Sequence, residues 1–251
     1  MVDVSSVISI IIVLIIIIAV FKIFKSVLKT IFIISTLFGI VVFFYLIILY
    51  QDVADFKTNF PTSEKLFLLE HNQELIAGFS GVLTEQEEPN YVTSSELNSY
   101  KLSYEANDLD NIVNNYYKLF IVNSESFEEV TSVEFGEDDL SREFIFDLID
   151  SETATDDFAN YYAQSRNIPF AALGELKKQM KEQFPSDTEF KGSLFASLFS
   201  AKTKEDPLFV FVEYKKENIA IHPETMLFKT MKKIPLFLMK RFIRTENGNI
   251  G

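Results

Sequence analysis

The chain has 251 residues, with 36 acidic and 23 basic side chains and a formal net charge of −13. This acidic balance repels nucleic acid, so we expect no nucleic-acid partner. The chain has no cysteine, which excludes disulfides, thiolate metal sites and cysteine nucleophiles, so the fold must rest on its packed core.

Two apolar stretches occupy most of the first fifty residues. They cover 4–24 and 31–50; Lys22 lies near the end of the first, and Lys25 and Lys29 lie between the two. About 20 helical residues cross a bilayer core of about 30 Å, so the pattern predicts a transmembrane helical hairpin with a basic loop at 22–30. A single helix over 7–50 would be about 66 Å long and would leave one apolar half in water. A cleaved signal peptide fits poorly, because no basic residue precedes Lys22.

The orientation of this anchor follows from its lysines. Short lysine-rich loops stay in the cytoplasm, so the pattern predicts a two-pass protein of the cell membrane with an extracytoplasmic soluble domain. An opposite signal comes from 226–244, which carries six basic and no acidic residues and suits the anionic cytoplasmic leaflet. We favour the outside location because that segment lies far along the chain from both predicted spans.

Charge divides the rest of the chain into an acidic α+β domain at 51–224 and a basic C-terminal segment at 225–251. Residues 51–200 contain 29 acidic and 10 basic side chains, a net of −19, whereas 201–251 contain 6 and 10, a net of +4. We expect the acidic surface to face away from the membrane or toward a cationic partner. A merely solvated acidic surface is the simpler explanation of the same charge.

Strands are predicted at both ends of the acidic domain. Apolar runs at 65–69 and 74–79 flank His71 and Asn72 and predict a β-hairpin, and 208–214 with 218–222 predicts a second one. A further strand is predicted at 117–122, between the two hairpins in the sheet. The glycines and the segment that predict a loop are Gly78, Gly81 and 85–90.

Helices are predicted between these strands. Apolar residues recur at helical spacing over 108–117 and 138–150, and both segments begin with acids, as helix starts prefer. Further helices are predicted after the capping sequence 155–157, from Pro169 through Phe184, and over 189–200. The prediction is therefore a short antiparallel sheet with a helical central insertion.

The C-terminal segment has two interpretations. In 225–233, Leu227, Phe228 and Met231 share a face opposite three lysines, which is typical of a helix lying in a membrane interface. The other interpretation is a core helix with a solvated basic rim. The segment after Pro235 is too short to cross a bilayer. The candidate membrane-interface residues of the whole chain are Lys22, Lys25, Lys29, Lys229, Lys232, Lys233, Lys240, Arg241 and Arg244.

Catalytic patterns are scarce in this sequence. No glycine-rich phosphate-binding pattern and no zinc-protease helix pattern is present, and 78–81 lacks the second glycine of a nucleophile elbow, so Ser80 is expected in a hairpin loop. A metal or base site would require His71 and His222, the two histidines, to meet across the sheet. The tyrosine pairs at 116–117 and 161–162 are candidate interface anchors. We predict no cofactor.

Two hypotheses for function remain. The favoured one is a membrane-anchored scaffold or accessory protein, whose acidic domain binds a partner protein or a second copy of the chain. The alternative is a membrane-bound hydrolase with a site built from dispersed acids and the serines or histidines. A channel or transporter is disfavoured, because neither predicted span carries a charge apart from its bounding lysines.

Overall fold

One long helix, α1 (Val4–Asn59), forms the N-terminal part of the protein. The computed structural model describes residues 4–82, 88–136, 138–235 and 237. The chain divides into two units, Met1–Val53 and Ala54–Gly251, and α1 ends inside the second.

Helix α1 runs without a break through the lysines that were predicted to form a loop. Lys22, Lys25 and Lys29 are exposed helical residues, so the structure does not show the predicted two-helix hairpin. The local sequence explains this, because 22–30 contains no glycine or proline and is rich in good helix formers. The break was predicted from the thickness of a bilayer, which the local sequence does not encode. By length and composition α1 can span a membrane, and a signal sequence near the N-terminus would share these properties.

The second unit is an α+β domain. After α1 its elements are β1 (Lys65–His71), β2 (Glu74–Gly81), β3 (Asn90–Tyr91), α2 (Ser94–Glu105), α3 (Leu109–Val113), β4 (Lys118–Asn123), a 3-10 helix (Ser124–Phe127), β5 (Ser132–Phe135), β6 (Asp138–Ser141), α4 (Arg142–Asp150), α5 (Ala154–Ser165), α6 (Phe170–Gln183), α7 (Asp187–Glu205), α8 (Phe209–Lys215), β7 (Ile219–His222) and α9 (Met226–Lys233).

The main sheet is mixed and has five strands in the order β3-β2-β1-β4-β7, while β5 and β6 form a separate pair. β1 and β2 form the predicted first hairpin, and the strand predicted at 117–122 is confirmed as β4, between β1 and β7. The prediction of an antiparallel sheet is wrong at one place, because β1 and β4 run parallel. A crossover through α2 and α3 returns the chain to the end of the sheet where β1 starts, and this makes the pairing parallel.

Both faces of the sheet are covered. Leu66, Leu68 and Leu119 point to one face, where they form a small core with residues of α2 and α3. Phe67 and Phe120 point to the other face, in the larger core that includes residues of α4, α5, α7, α8 and α9. Strands buried on both faces explain why β1 and β4 are continuous apolar runs and do not alternate with polar residues.

The second predicted hairpin is wrong in its first strand. Residues 209–215 form helix α8, in which Phe209, Glu213 and Tyr214 are buried at helical spacing. The carboxylate of Asp206 accepts a hydrogen bond from the backbone N–H of Leu208 at 2.9 Å and so stabilises the start of this helix. The aromatic and β-branched run favoured a strand, but helical packing against the core decided the outcome.

Three further predictions need correction. The helix predicted over 138–150 begins only at Arg142, because Ser141 caps it and 138–141 form β6. The helix predicted over 108–117 ends at Val113. Gly78 and Ser80 lie inside β2 and not in a loop. The helices predicted after 155–157, from Pro169 and over 189–200 are present as α5, α6 and α7. The predicted cap of the first is wrong, because 155–157 lie inside α5, which begins at Ala154.

Candidate functional site

A polar cleft of about 710 Å³, here named the histidine cleft, lies beside the turn between β1 and β2. Its other walls come from α2, from the end of α4 and from the start of α7. The charged or ionisable residues that line it are His71, Glu74, Lys101, Asp150, Glu152, Asp187 and Lys191. Four carboxylates therefore face two lysines and one histidine, a lining suited to a polar ligand.

A buried hydroxyl positions His71 in this cleft. The Nδ1 atom of His71 lies 2.8 Å from Oγ of Ser124, and the ring packs against Phe146 at a centroid distance of 5.9 Å. The Nε2 atom lies 3.7 Å from a carboxylate oxygen of Asp150. One ring nitrogen is thus held by a hydrogen bond, while the other is oriented by a nearby charge and can bind a ligand.

Ser124, His71 and Asp150 are the residue types of a serine-hydrolase triad, but their geometry differs from it. A nucleophilic serine must reach substrate, and Ser124 is buried. The 3.7 Å between His71 and Asp150 also exceeds hydrogen-bond distance. His71 is therefore better placed to transfer a proton or bind a ligand than Ser124 is to attack one.

The opposite wall of the histidine cleft holds a half-buried lysine. Burial lowers the pKa of Lys191 below its ordinary value, and the carboxylates of Asp187, Asp150 and Glu152 counteract part of that shift. Asp187 in turn accepts hydrogen bonds from the backbone N–H, at 2.8 Å, and the hydroxyl of Thr155. These hydrogen bonds fix the start of α7 against α5.

The two histidines do not form a common site. His222 pairs in register with Leu119, which pairs with Leu66, so five residues, or roughly 16 Å, separate its level in the sheet from that of His71. The Nε2 atom of His222 instead lies 2.7 Å from a carboxylate oxygen of Asp110. Within the described ranges of the chain, no group of three His, Cys, Asp or Glu side chains is placed to hold a metal ion.

A second cleft, of about 470 Å³ and here named the acidic cleft, lies between the 3-10 helix and α8. Its charged residues are Glu125, Glu128, Glu129, Lys202, Asp206, Glu213 and Lys216. Lys202 lies 3.6 Å from Glu129, and Lys216 lies 2.8 Å from Glu213. Five carboxylates against two lysines leave an excess of negative charge at this surface.

The sequence analysis missed a pair of buried lysines. Lys65 and Lys118 begin β1 and β4 and are register partners, each followed by Leu-Phe. The Nζ atom of Lys65 donates a hydrogen bond to the carbonyl oxygen of Ser63 at 2.7 Å, and that of Lys118 donates to Pro223 at 2.9 Å. The sequence repeats Lys-Leu-Phe at the two strand starts, but this repeat indicates the pairing only once β1 and β4 are known to be parallel neighbours.

The predicted membrane-interface residues fall into three places. Lys22, Lys25 and Lys29 lie on α1, and Lys229, Lys232 and Lys233 lie on α9, whereas Lys240, Arg241 and Arg244 lie outside the described residues. The four tyrosines of the predicted interface pairs, at 116–117 and 161–162, are all half-buried, so none stands out from the surface as a free anchor.

Comparison of the chain with protein-family models, with curated proteins and with solved structures gives no match.

Proposed function

We propose that this protein is a membrane-anchored scaffold or accessory protein whose second unit presents an acidic surface to a protein partner. The supporting observation is that every side chain from Val13 to Tyr50 except that of Leu49 is exposed, although the segment is apolar. An isoleucine, leucine or phenylalanine left in water costs roughly 1.5–3 kcal/mol relative to burial, so this stretch needs lipid around it.

The length of α1 favours two crossings over one. Its 56 residues extend about 84 Å at 1.5 Å per residue, nearly three times a bilayer core of about 30 Å. We therefore propose that in the bilayer the chain turns at 22–30 and that 4–24 and 31–50 both cross. The lysines of the turn then lie in the cytoplasm and the second unit lies outside.

The absence of native cysteine makes this topology directly measurable. Three single substitutions, Val2→Cys, Ser26→Cys and Ala172→Cys, place one thiol before the first proposed span, in 22–30 and on the exposed side of α6. A membrane-impermeant maleimide added to intact cells is expected to label the variants at 2 and 172, and the variant at 26 only after permeabilisation.

Other labelling patterns would contradict the two-span arrangement. If the thiols at positions 2 and 26 are labelled on the same side of the membrane, opposite to 172, the chain crosses once. If the mature chain has lost position 2, the apolar segment is a cleaved signal sequence. Labelling of 172 only after permeabilisation places the second unit in the cytoplasm.

The partner is proposed to bind at the acidic cleft. Glu128 is exposed there. A photo-crosslinking residue in its place should give one discrete adduct on cells, and the yield of this adduct should fall when the irradiation is done at high salt. The same residue at Glu182, an exposed acid on α6, is the matched control and should give none. An adduct of twice the chain mass identifies a second copy as the partner, and equal adducts at both positions contradict the proposal.

A hydrolase in the histidine cleft is the second candidate. The observation that favours it is the Nε2 atom of His71, oriented toward the cleft while Ser124 holds Nδ1. His71→Asn keeps a polar group near Ser124 and removes Nε2, so any turnover of chromogenic esters or phosphate esters should fall at least about 100-fold. His222→Asn is the control and should retain the activity. Turnover unaffected by the substitution at 71, or no turnover in the native chain, removes this candidate.

A further inference from the structure

Helix α9 is fixed to the second unit by the apolar face that an interfacial helix would place in lipid. Phe228 is fully buried, and its ring lies 5.7 Å from that of Phe56, 5.8 Å from that of Tyr214 and 6.3 Å from that of Phe211. In the described part of the segment, this agrees with the core-helix interpretation. Contact of α9 with a membrane must therefore use its lysines and not its apolar face.

Helix α9 contacts Phe56, a residue of the second unit that lies close in sequence to the apolar segment. Phe56 follows Tyr50 by six residues, and six residues of chain cannot extend beyond about 22 Å in any conformation. A bilayer that holds 31–50 therefore has its surface within reach of the element on which α9 packs.

The lysines of α9 are only weakly engaged by carboxylates. Lys229 lies 4.0 Å from Glu224 and Lys232 lies 3.9 Å from Glu217, both at the limit of ion-pair distance. The two lysine side chains are 54% and 35% exposed, and Glu217 is 82% exposed, so water screens both pairs. Lys233 is exposed as well.

Charge makes this face better suited to an anionic surface than the acidic part of the second unit. The net charge of −19 over residues 51–200 repels anionic lipid, whereas the chain from 201 onward has a net charge of +4. Basic residues close to a membrane attract the headgroups of anionic lipids, and the attraction fades within about a Debye length.

We propose that the lysine face of α9, defined by Lys229, Lys232 and Lys233, binds the phosphate groups of anionic lipids in the leaflet that faces the second unit, on either side of the bilayer that holds α1. This inference rests on the proposed membrane anchorage and names the lipid class that the second unit selects.

The test uses the full chain in nanodiscs of phosphatidylcholine, with or without phosphatidylglycerol. Acetylation of each lysine by a water-soluble reagent is followed by mass spectrometry. Phosphatidylglycerol is expected to slow the acetylation of Lys229 and Lys233 about fivefold. This factor corresponds to about 1 kcal/mol per lysine at an anionic surface. High salt should restore the rates. The lysines of α6, Lys177, Lys178 and Lys181, are the internal control and should not change.

A pair of triple variants separates lipid binding from other causes of protection. Replacing Lys229, Lys232 and Lys233 by glutamine should lower the phosphatidylglycerol retained per chain in native mass spectrometry, and the same change at Lys177, Lys178 and Lys181 should not. Equal acetylation rates in both nanodiscs, or equal retention by both variants, overturn the inference while leaving the anchorage intact. A chain that does not enter nanodiscs overturns the anchorage and this inference together.

Discussion

Lys65 has the least expected environment among the described side chains. It is fully buried, its ammonium group lies 4.8 Å from the ring centroid of Phe60, and its hydrogen bond goes to a carbonyl oxygen. Burial in these surroundings lowers the pKa of Lys65 to about 8. Among the described residues no carboxylate forms an ion pair with Lys65, and a buried ammonium group without such a partner destabilises the fold. Replacing Lys65 therefore measures what this buried charge costs.

We expect Lys65→Met to stabilise the protein at neutral pH. Since the pKa is about 8 in the folded protein and 10.5 in an unfolded chain, the buried ammonium group costs about 3 kcal/mol at about 1.4 kcal/mol per pKa unit. Methionine fills a similar volume without charge. Thermal unfolding of the detergent-solubilised chain, followed by tyrosine fluorescence, measures the effect, and Lys178→Met on exposed α6 is the control.

Lys65 also predicts how the free energy of unfolding changes with pH. Between about pH 8 and pH 10 the unfolded chain binds more protons at this position than the folded one, so the free energy of unfolding of the native chain should rise with pH. Below about pH 8 both states are protonated and the contribution is flat. Lys65→Met should remove the rise, and a rise that persists in this variant would assign it to another group.

At the scale of elements, Gly192 lets α7 lie directly on β2, because a Cβ atom there would lie 2.6 Å from the carbonyl oxygen of Gly78. Gly78 is required on the opposite face of the sheet, where a Cβ atom would lie 2.6 Å from a methyl carbon of Leu68 in the small core. This close packing between strands explains why Gly78, which predicts a loop by its residue type, lies inside a strand.

We expect Gly192→Ala to lower the free energy of unfolding by roughly 1–3 kcal/mol, because the new methyl group meets backbone that cannot move aside easily. Gly174→Ala is a matched change in helix α6, where no atom lies within 4 Å of the added Cβ. It should stabilise by up to about 1 kcal/mol through helix propensity alone. Equal effects of the two substitutions, measured by thermal unfolding, would show that the glycine contact is not required.

The elements predicted correctly are those whose local signals agree with their packing. The first hairpin, β4, α5 and α7 have apolar runs or helical periodicity that match their buried residues. Helix α6 was also predicted, although it has no buried residue, because Pro169 and the helical periodicity mark it in the sequence. Helix α8 was missed because Phe209 to Val212 is apolar throughout, and such a run does not distinguish a strand from a buried helix. Helix α2 was not predicted, although Thr93 and Glu96 form a capping box that marks its start.

The candidate sites were less accessible to sequence reasoning than the fold. His71 was singled out, but its contacts with Ser124 and Asp150 join residues far apart in the chain. The pairing of Lys65 with Lys118 depends on the parallel register of β1 and β4, which no local pattern encodes. Sites built by tertiary contacts become visible only when strand order is known.

At the scale of the whole molecule, the lysines and the two apolar stretches together determine on which side of the membrane the second unit is expected. The lysines at 22–30 are the cations between the two apolar stretches, and they oppose export of that segment. If both stretches cross, the side of the second unit depends on the stretch at 31–50 and not on the one at 4–24. The two stretches therefore have separable roles, which charge insertion can test.

We expect Ile40→Arg to move the second unit to the cytoplasm and Ile15→Arg to leave it outside. An arginine at the centre of a span costs about 2.5–3.5 kcal/mol, enough to disfavour insertion of that span. Without 31–50 the chain enters once and keeps everything after its lysines inside, whereas without 4–24 it still leaves through 31–50. Maleimide labelling of Ala172→Cys in intact cells measures on which side of the membrane the second unit lies. The reference is the Ala172→Cys chain without an introduced arginine. Movement of position 172 by Ile15→Arg, or none by Ile40→Arg, would mean that the lysines do not set the orientation.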